Sequence, residues 1–95
     1  MDIIEIYRKI KTNGDWVKPK ILRQTRKKVY GMTQVEFSEL LGVISSTYIS
    51  WEQGRYVPSS PSQALLHIAT YHKEVFLKNR AQLLEKVGES ENQGF

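Results

Sequence analysis

Few side chains in this sequence could do covalent or acid–base chemistry, and their spacing argues against it. There is no cysteine, which removes disulfides, thiolate metal sites and thiol nucleophiles. His67 and His72 stand five residues apart, off the spacing of three or four that brings two ligands onto one helical face. No carboxylate is set beside them to complete a metal site. The serines have no base or oxyanion framework around them, and Gly54-Arg55 lacks the Gly-Lys-Ser and the preceding strand of a phosphate loop. The expectation is a non-enzyme without metal or cofactor. Recognition chemistry is better represented. Ser45, Ser46, Thr47, Ile49 and Ser50 crowd into one short stretch. Short hydroxyls donate or accept at several base edges, and the Thr47 methyl or Ile49 can pack on a thymine methyl. The stretch has no Arg, Gln or Asn for bidentate readout, so DNA shape would carry part of any specificity.

Two short helices would position these residues. Thr33 and Glu36 form a capping box, in which hydroxyl and carboxylate reciprocally satisfy backbone donors at a helix start. The helix from Gln34 then buries Phe37, Leu40 and Leu41 on one face. Gly42 supplies the left-handed stop that a sharp helix–helix turn needs. A second helix follows, with Tyr48 and Trp51 inward and Gly54 at its end. Two helices joined this way predict a helix-turn-helix, which offers the second helix to the DNA major groove. Its N-terminal and outward residues, Ser45, Ser46, Thr47, Ile49 and Ser50, are the candidate base contacts. Gln34 stands where a helix start can meet a phosphate. Lys27, Lys28 and Arg55 are further candidate phosphate contacts, each of which could equally be a solvated cation.

Ninety-five residues make one small domain. Ile3, Ile4, Ile6, Tyr7 and Ile10 suggest an amphipathic helix over residues 2–11, with a strand as the alternative. Thr12-Asn13-Gly14-Asp15 reads as a turn, after which Trp16 and Val17 could anchor the chain. Ile21, Leu22, Thr25 and Val29 form the inner side of a helix over residues 19–29, with Pro19 in its first turn. Ser59 or Ser60 before Pro61 caps another helix, bearing Ala64, Leu65, Leu66, Ile68 and Ala69. A last helix over residues 74–87 shows Val75, Phe76, Leu83, Leu84 and Val87, and residues 88–95 read as a polar tail. The fold expected is all-α, a small bundle of about five helices containing a helix-turn-helix, with an additional N-terminal amphipathic segment. Its divisions would be residues 1–15, 16–72, 73–88 and 89–95.

Net charge is +4, distributed unevenly. The first thirty residues hold nine Lys/Arg against three acids, whereas residues 31–95 hold five against seven. A basic end beside a near-neutral one is an electrostatic footprint for a polyanion. No apolar run approaches the length of a membrane span and no signal peptide is evident, so a cytoplasmic location is expected.

Arg26, Gly31, Thr33-Gln34, Phe37, Leu40-Leu41-Gly42-Val43, Trp51-Glu52, Gly54-Arg55 and Pro58 together resemble the lambda-repressor/Cro-like (XRE) helix-turn-helix family, over about half the chain. Trp51-Glu52-Gln53-Gly54-Arg55, Pro58-Ser59, Pro61 and Ala64-Leu65-Leu66 are similar to the DNA-binding antitoxins of bacterial toxin–antitoxin pairs, the HigA/MqsA kind. His72-Lys73-Glu74-Val75 resembles their His-Pro-Glu turn, with lysine replacing proline. The chain departs from the pattern at Ser38, where alanine is usual, at Ile44, which cannot cap the second helix, at Tyr48, and by one extra residue between Arg26 and Thr33. The resemblance implies a partly buried structural ion pair between Arg26 and Glu52. It also implies a dimeric repressor on palindromic double-stranded DNA or, alternatively, an antitoxin that covers a small toxin protein and represses its own promoter. The surface for a sister subunit or partner would be Phe76, Leu83, Leu84 and Val87, or the stripe Ile3, Tyr7 and Ile10. Either stripe could instead pack on the chain's own core.

Overall fold

The computed structural model describes residues 3–10 and 17–92, and every regular element among them is helical. There are seven helices where about five were expected: α1 Ile3–Lys9, α2 Pro19–Gln24, α3 Gln34–Leu41, α4 Ser45–Glu52, α5 Ser60–Tyr71, α6 Lys73–Lys78 and α7 Arg80–Asn92. The chain divides into two compact units. One is Gly14–Pro58; the other joins Met1–Asn13 to Ser59–Phe95. The suggested turn at Thr12-Asn13-Gly14-Asp15 and the anchor Trp16 lie outside the described residues.

In Gly14–Pro58, α2 begins with Pro19 in its first turn, where a missing N–H costs nothing. From Thr25 to Tyr30 the helix continues with wider, π-type turns. A wider turn takes an extra residue, so the inward face advances relative to α-helical spacing. Val29 is accordingly 37% exposed instead of lying on the inner side, while Thr25 and Arg26 are buried. The capping box at α3 is complete. The Glu36 amide donates to Thr33 Oγ1 at 3.1 Å, and the Thr33 amide donates to Glu36 Oε1 at 2.9 Å. These bonds hold the Glu36 carboxyl below the usual carboxylate range.

α3 buries Phe37, Ser38 and Leu41 and leaves Leu40 half-buried. Gly42 ends it at φ 73°, a conformation that a side chain would strain. The Val43 amide then reaches back to the Ser38 carbonyl at 3.0 Å. Ile44 occupies the cap position of α4 without any side-chain bond, and the helix starts at Ser45. Inside, the rings of Tyr30 and Phe37 lie 4.9 Å apart, those of Phe37 and Tyr48 5.4 Å, and those of Tyr48 and Trp51 6.1 Å. The tilted and edge-on geometries are those aromatic pairs prefer.

In the second unit, α1 is a helix, with Ile3 and Tyr7 buried. It packs on α5 and α7, and the Tyr7 hydroxyl donates to the Pro61 carbonyl at 3.4 Å. Ser59 caps α5, which buries Ala64, Leu65, Leu66, Ile68 and Ala69. The stretch expected as one terminal helix is two, broken at Asn79. The Asn79 amide side chain donates to the Val75 carbonyl at 2.9 Å, a local bond that competes with helix continuation. Beyond it α7 runs past Gly88 to Asn92, where a tail was expected.

Phe76, Leu83 and Val87 join Ile3 and Tyr7 in this unit's own core. These five side chains therefore form no surface for a sister subunit or partner. Ile10 and Leu84 remain half-buried. No helix among the described residues is long and apolar enough to cross a membrane.

Candidate nucleic-acid interface

The site begins with what holds α4 in place. Glu52, in its last turn, is 3% exposed, and Arg26, in the π-type segment, is 8% exposed. Arg26 Nε donates to Glu52 Oε2 at 2.7 Å and Nη2 to Oε1 at 3.1 Å, a two-pronged pair. The remaining bonds complete the network. Arg26 Nη1 donates to the Met32 carbonyl at 3.0 Å, and Gln34 Nε2 donates to Glu52 Oε1 at 3.2 Å. Arg23 Nη1, from the exposed side of α2, donates to the Glu52 carbonyl at 2.9 Å. Tyr48, fully buried on α4, donates its hydroxyl to the Leu22 carbonyl at 3.3 Å.

The electrostatics follow from this packing. Burial alone would raise the Glu52 pKa, and it is the largest single influence. The bonds from Arg26 and Gln34, with the Arg26 charge, together outweigh it and hold the carboxyl below its ordinary value. Arg26 is pushed further up, first by its hydrogen bond to Glu52. Burial drives the Tyr48 phenol strongly upward, with the nearby Glu52 charge adding to it. Burial also pushes Tyr30 up to about 12. These groups therefore keep fixed charge states near neutrality, which suits a brace and gives no acid or base for catalysis.

The outer side of α4 is different in kind. Ser46 and Thr47 are exposed, and Ser45, Ile49 and Ser50 half-buried. Ser50 Oγ donates back to the Ser46 carbonyl at 2.9 Å, leaving mainly its lone pairs for another partner. Lys27, Lys28 and Arg55 are exposed in the same unit. Gln34 is half-buried with an amide proton committed to Glu52, so the structure turns it toward the brace. The structure thus brings Arg26, Glu52 and Gln34 together and keeps the α4 hydroxyls apart from them.

Two features were missed in the sequence. Arg23 reads as one more surface cation, because its bond to a backbone carbonyl leaves no trace in residue spacing. Tyr56 reads as a loop residue, yet it is 69% exposed and lines an open cleft with Ser46, Thr47, Ser50 and Trp51. An aromatic two residues after the helix-ending Gly54 was the available signal. Ile44, at 74%, and Val35, at 52%, are exposed at the starts of α4 and α3.

His67 and His72, off the spacing that shares one helical face, nevertheless lie with rings 5.9 Å apart, His72 standing just past the end of α5 at Tyr71. Burial, then the neighbouring His72, lowers the His67 pKa. Among the described residues no three His, Cys, Asp or Glu are grouped to hold a metal ion. Comparisons of the chain with protein-family models, curated proteins and solved structures gave no match.

Proposed function

We propose that this chain is a sequence-specific DNA-binding regulator, a repressor of XRE type that binds a palindromic operator as a homodimer. In this reading α3, the Gly42 turn and α4 act as a helix-turn-helix, with α4 entering the major groove. One observation carries the reading: α4 buries Tyr48, Trp51 and Glu52 on its inner side and presents Ser46 and Thr47 outward. An eight-residue helix braced from behind and hydroxyl-covered in front is built to display its front. Ser45, Ile49 and Ser50 would touch bases at the margin of that front. Lys27, Lys28 and Arg55 would meet phosphates, and the unit around them holds seven Lys/Arg against four acids. Gln34 acts first as a brace for Glu52, with the uncovered start of α3 beside it for a phosphate.

Pairing does not use Ile3, Tyr7, Phe76, Leu83 or Val87, which are already buried in one copy. That burial also weakens the antitoxin alternative, in which an N-terminal segment would be free to hold a toxin. Removing it would take Ile3 and Tyr7 out of the core of the second unit.

The test is titration of the full-length protein into random duplex DNA and into duplexes selected from a randomised pool. Affinity should fall steeply between 50 and 200 mM salt, and Lys27→Ala, Lys28→Ala and Arg55→Ala should each reduce the salt slope by about 0.9. Ser46→Ala should change which bases are preferred while leaving that slope alone. Binding that ignores salt, or that treats all sequences alike, removes the proposal.

A further inference from the structure

Resting on the DNA-binding reading, we propose that the cleft between Tyr56 and α4 seats the C5-methyl group of a pyrimidine, making Tyr56 a specificity-determining residue outside the recognition helix. The cleft measures about 260 Å³ and is lined by Ser46, Thr47, Ser50, Trp51 and Tyr56. Its chemistry excludes the commoner modes of base and backbone contact. No cation lines it, so a phosphate finds no counter-charge there. No amide or guanidinium lines it, so a purine edge finds no bidentate partner. Two aromatic residues and the Thr47 methyl provide apolar lining, and the hydroxyls of Ser46, Thr47 and Ser50 are its small polar groups.

The Ser50 hydroxyl proton is directed to the Ser46 carbonyl, which makes that wall less polar than its composition implies. The Trp51 side chain is largely covered, and Tyr56 is free to close over a guest at 69% exposure. In the major groove the small apolar projection next to a hydrogen-bond acceptor is the thymine methyl beside O4. The methyl fits the aromatic wall, and O4 accepts from the hydroxyl of Ser46 or Thr47. A methylated cytosine carries the same methyl at the same place beside an N4 amine that donates to the same hydroxyl, so the cleft reads the methyl from either base.

The experiment uses the full-length protein and a duplex recovered from a randomised pool. Each thymine is replaced in turn by deoxyuridine, which removes only the methyl. At one position in each half-site the replacement should weaken binding about four-fold, the worth of one buried methyl. A cytosine at that position should regain a similar factor on C5-methylation. Both differences should vanish in Tyr56→Ala and persist in Tyr56→Phe, because the ring and not the phenol forms the wall. Salt-dependent DNA binding with no methyl effect at any position overturns this inference and leaves the DNA-binding reading standing. A methyl effect unchanged in Tyr56→Ala also overturns it. Absence of DNA binding removes both.

Discussion

Both units bury an apolar core, but in only one of them do the described residues add a buried ion pair. At the centre of Gly14–Pro58 sits a charged pair, Arg26 and Glu52, with further bonds to Glu52 from Gln34 and Arg23. The unit that joins both ends of the chain is packed with Leu65, Leu66, Ile68, Ala69, Phe76 and Leu83, and among its described residues the buried polar ones are Ser62 and Gln63 near the start of α5. Apolar packing is non-directional and tolerates small rotations of one helix on another. A two-pronged ion pair with further bonds tolerates far less, because each lost bond strands a buried group. The contrast separates a unit in which directional bonds fix the attitude of α4 from a unit held mainly by apolar packing.

The largest effects should come from striking each centre once. Glu52→Ala strands the Arg26 guanidinium and should cost about 3–5 kcal/mol in thermal or urea denaturation. Leu83→Ala opens a cavity in the other unit and should cost about 2–5 kcal/mol. Their consequences should differ where their costs do not: Glu52→Ala should blur DNA selectivity, and Leu83→Ala should leave it. Next in size is the double replacement Arg26→Met with Glu52→Leu, which should melt above either single variant, since no charge is left stranded. If that double variant also keeps full DNA selectivity, the pair is not an orienting device and the comparison fails.

Acidification should separate the units. The Glu52 carboxyl titrates below its ordinary range, so its contribution is present above about pH 4.3 and is lost as pH falls beneath that. His67 is also lowered, by burial and by His72, so the folded state favours the neutral ring. Its contribution is complete above about pH 6.5 and is lost as pH falls below it. Both tryptophans belong to Gly14–Pro58. Between pH 7.5 and 5.5, unfolding followed by tryptophan fluorescence should hold steady, whereas the helical circular dichroism of the whole chain should lose stability. His67→Phe should remove that loss.

The smallest effects concern the caps. Thr33→Ala breaks a complete capping box and should cost about 1 kcal/mol, and Ser59→Ala, which loses a longer bond of 3.4 Å, should cost less. Ile44→Ser should do the reverse and stabilise α4 by up to about 1 kcal/mol, because Ile44 caps nothing. A destabilised Ile44→Ser variant would mean that the exposed isoleucine is held by packing on its neighbours.

Residue types and spacing made the cap at Thr33, the stop at Gly42 and the inward faces of α3 and α5 legible, because each is a local pattern. The inward turn of Arg26 was legible only through family resemblance. The residue types of Thr25-Arg26-Lys27-Lys28-Val29-Tyr30 do not announce a wide helical turn; the one extra residue between Arg26 and Thr33 was its available signal. The break at Asn79 was missed for a related reason, since apolar periodicity continues across it while one side chain bonds backward. On the candidate interface, the hydroxyl face could be read in advance. Tyr56 could not be placed, because a loop residue's direction is decided by the chain on either side.

The division of the chain has a consequence for its synthesis. α1 belongs with α5 and α7, yet the whole of Gly14–Pro58 is made in between. At ordinary elongation rates, about 3 to 10 s separate the appearance of α1 from that of α5. During that interval Ile3 and Tyr7 have none of their eventual neighbours, and the inserted unit has everything it needs to close. The nascent chain would therefore complete Gly14–Pro58 while α1 still lacks the helices it packs on, leaving Ile3 and Tyr7 uncovered for that interval.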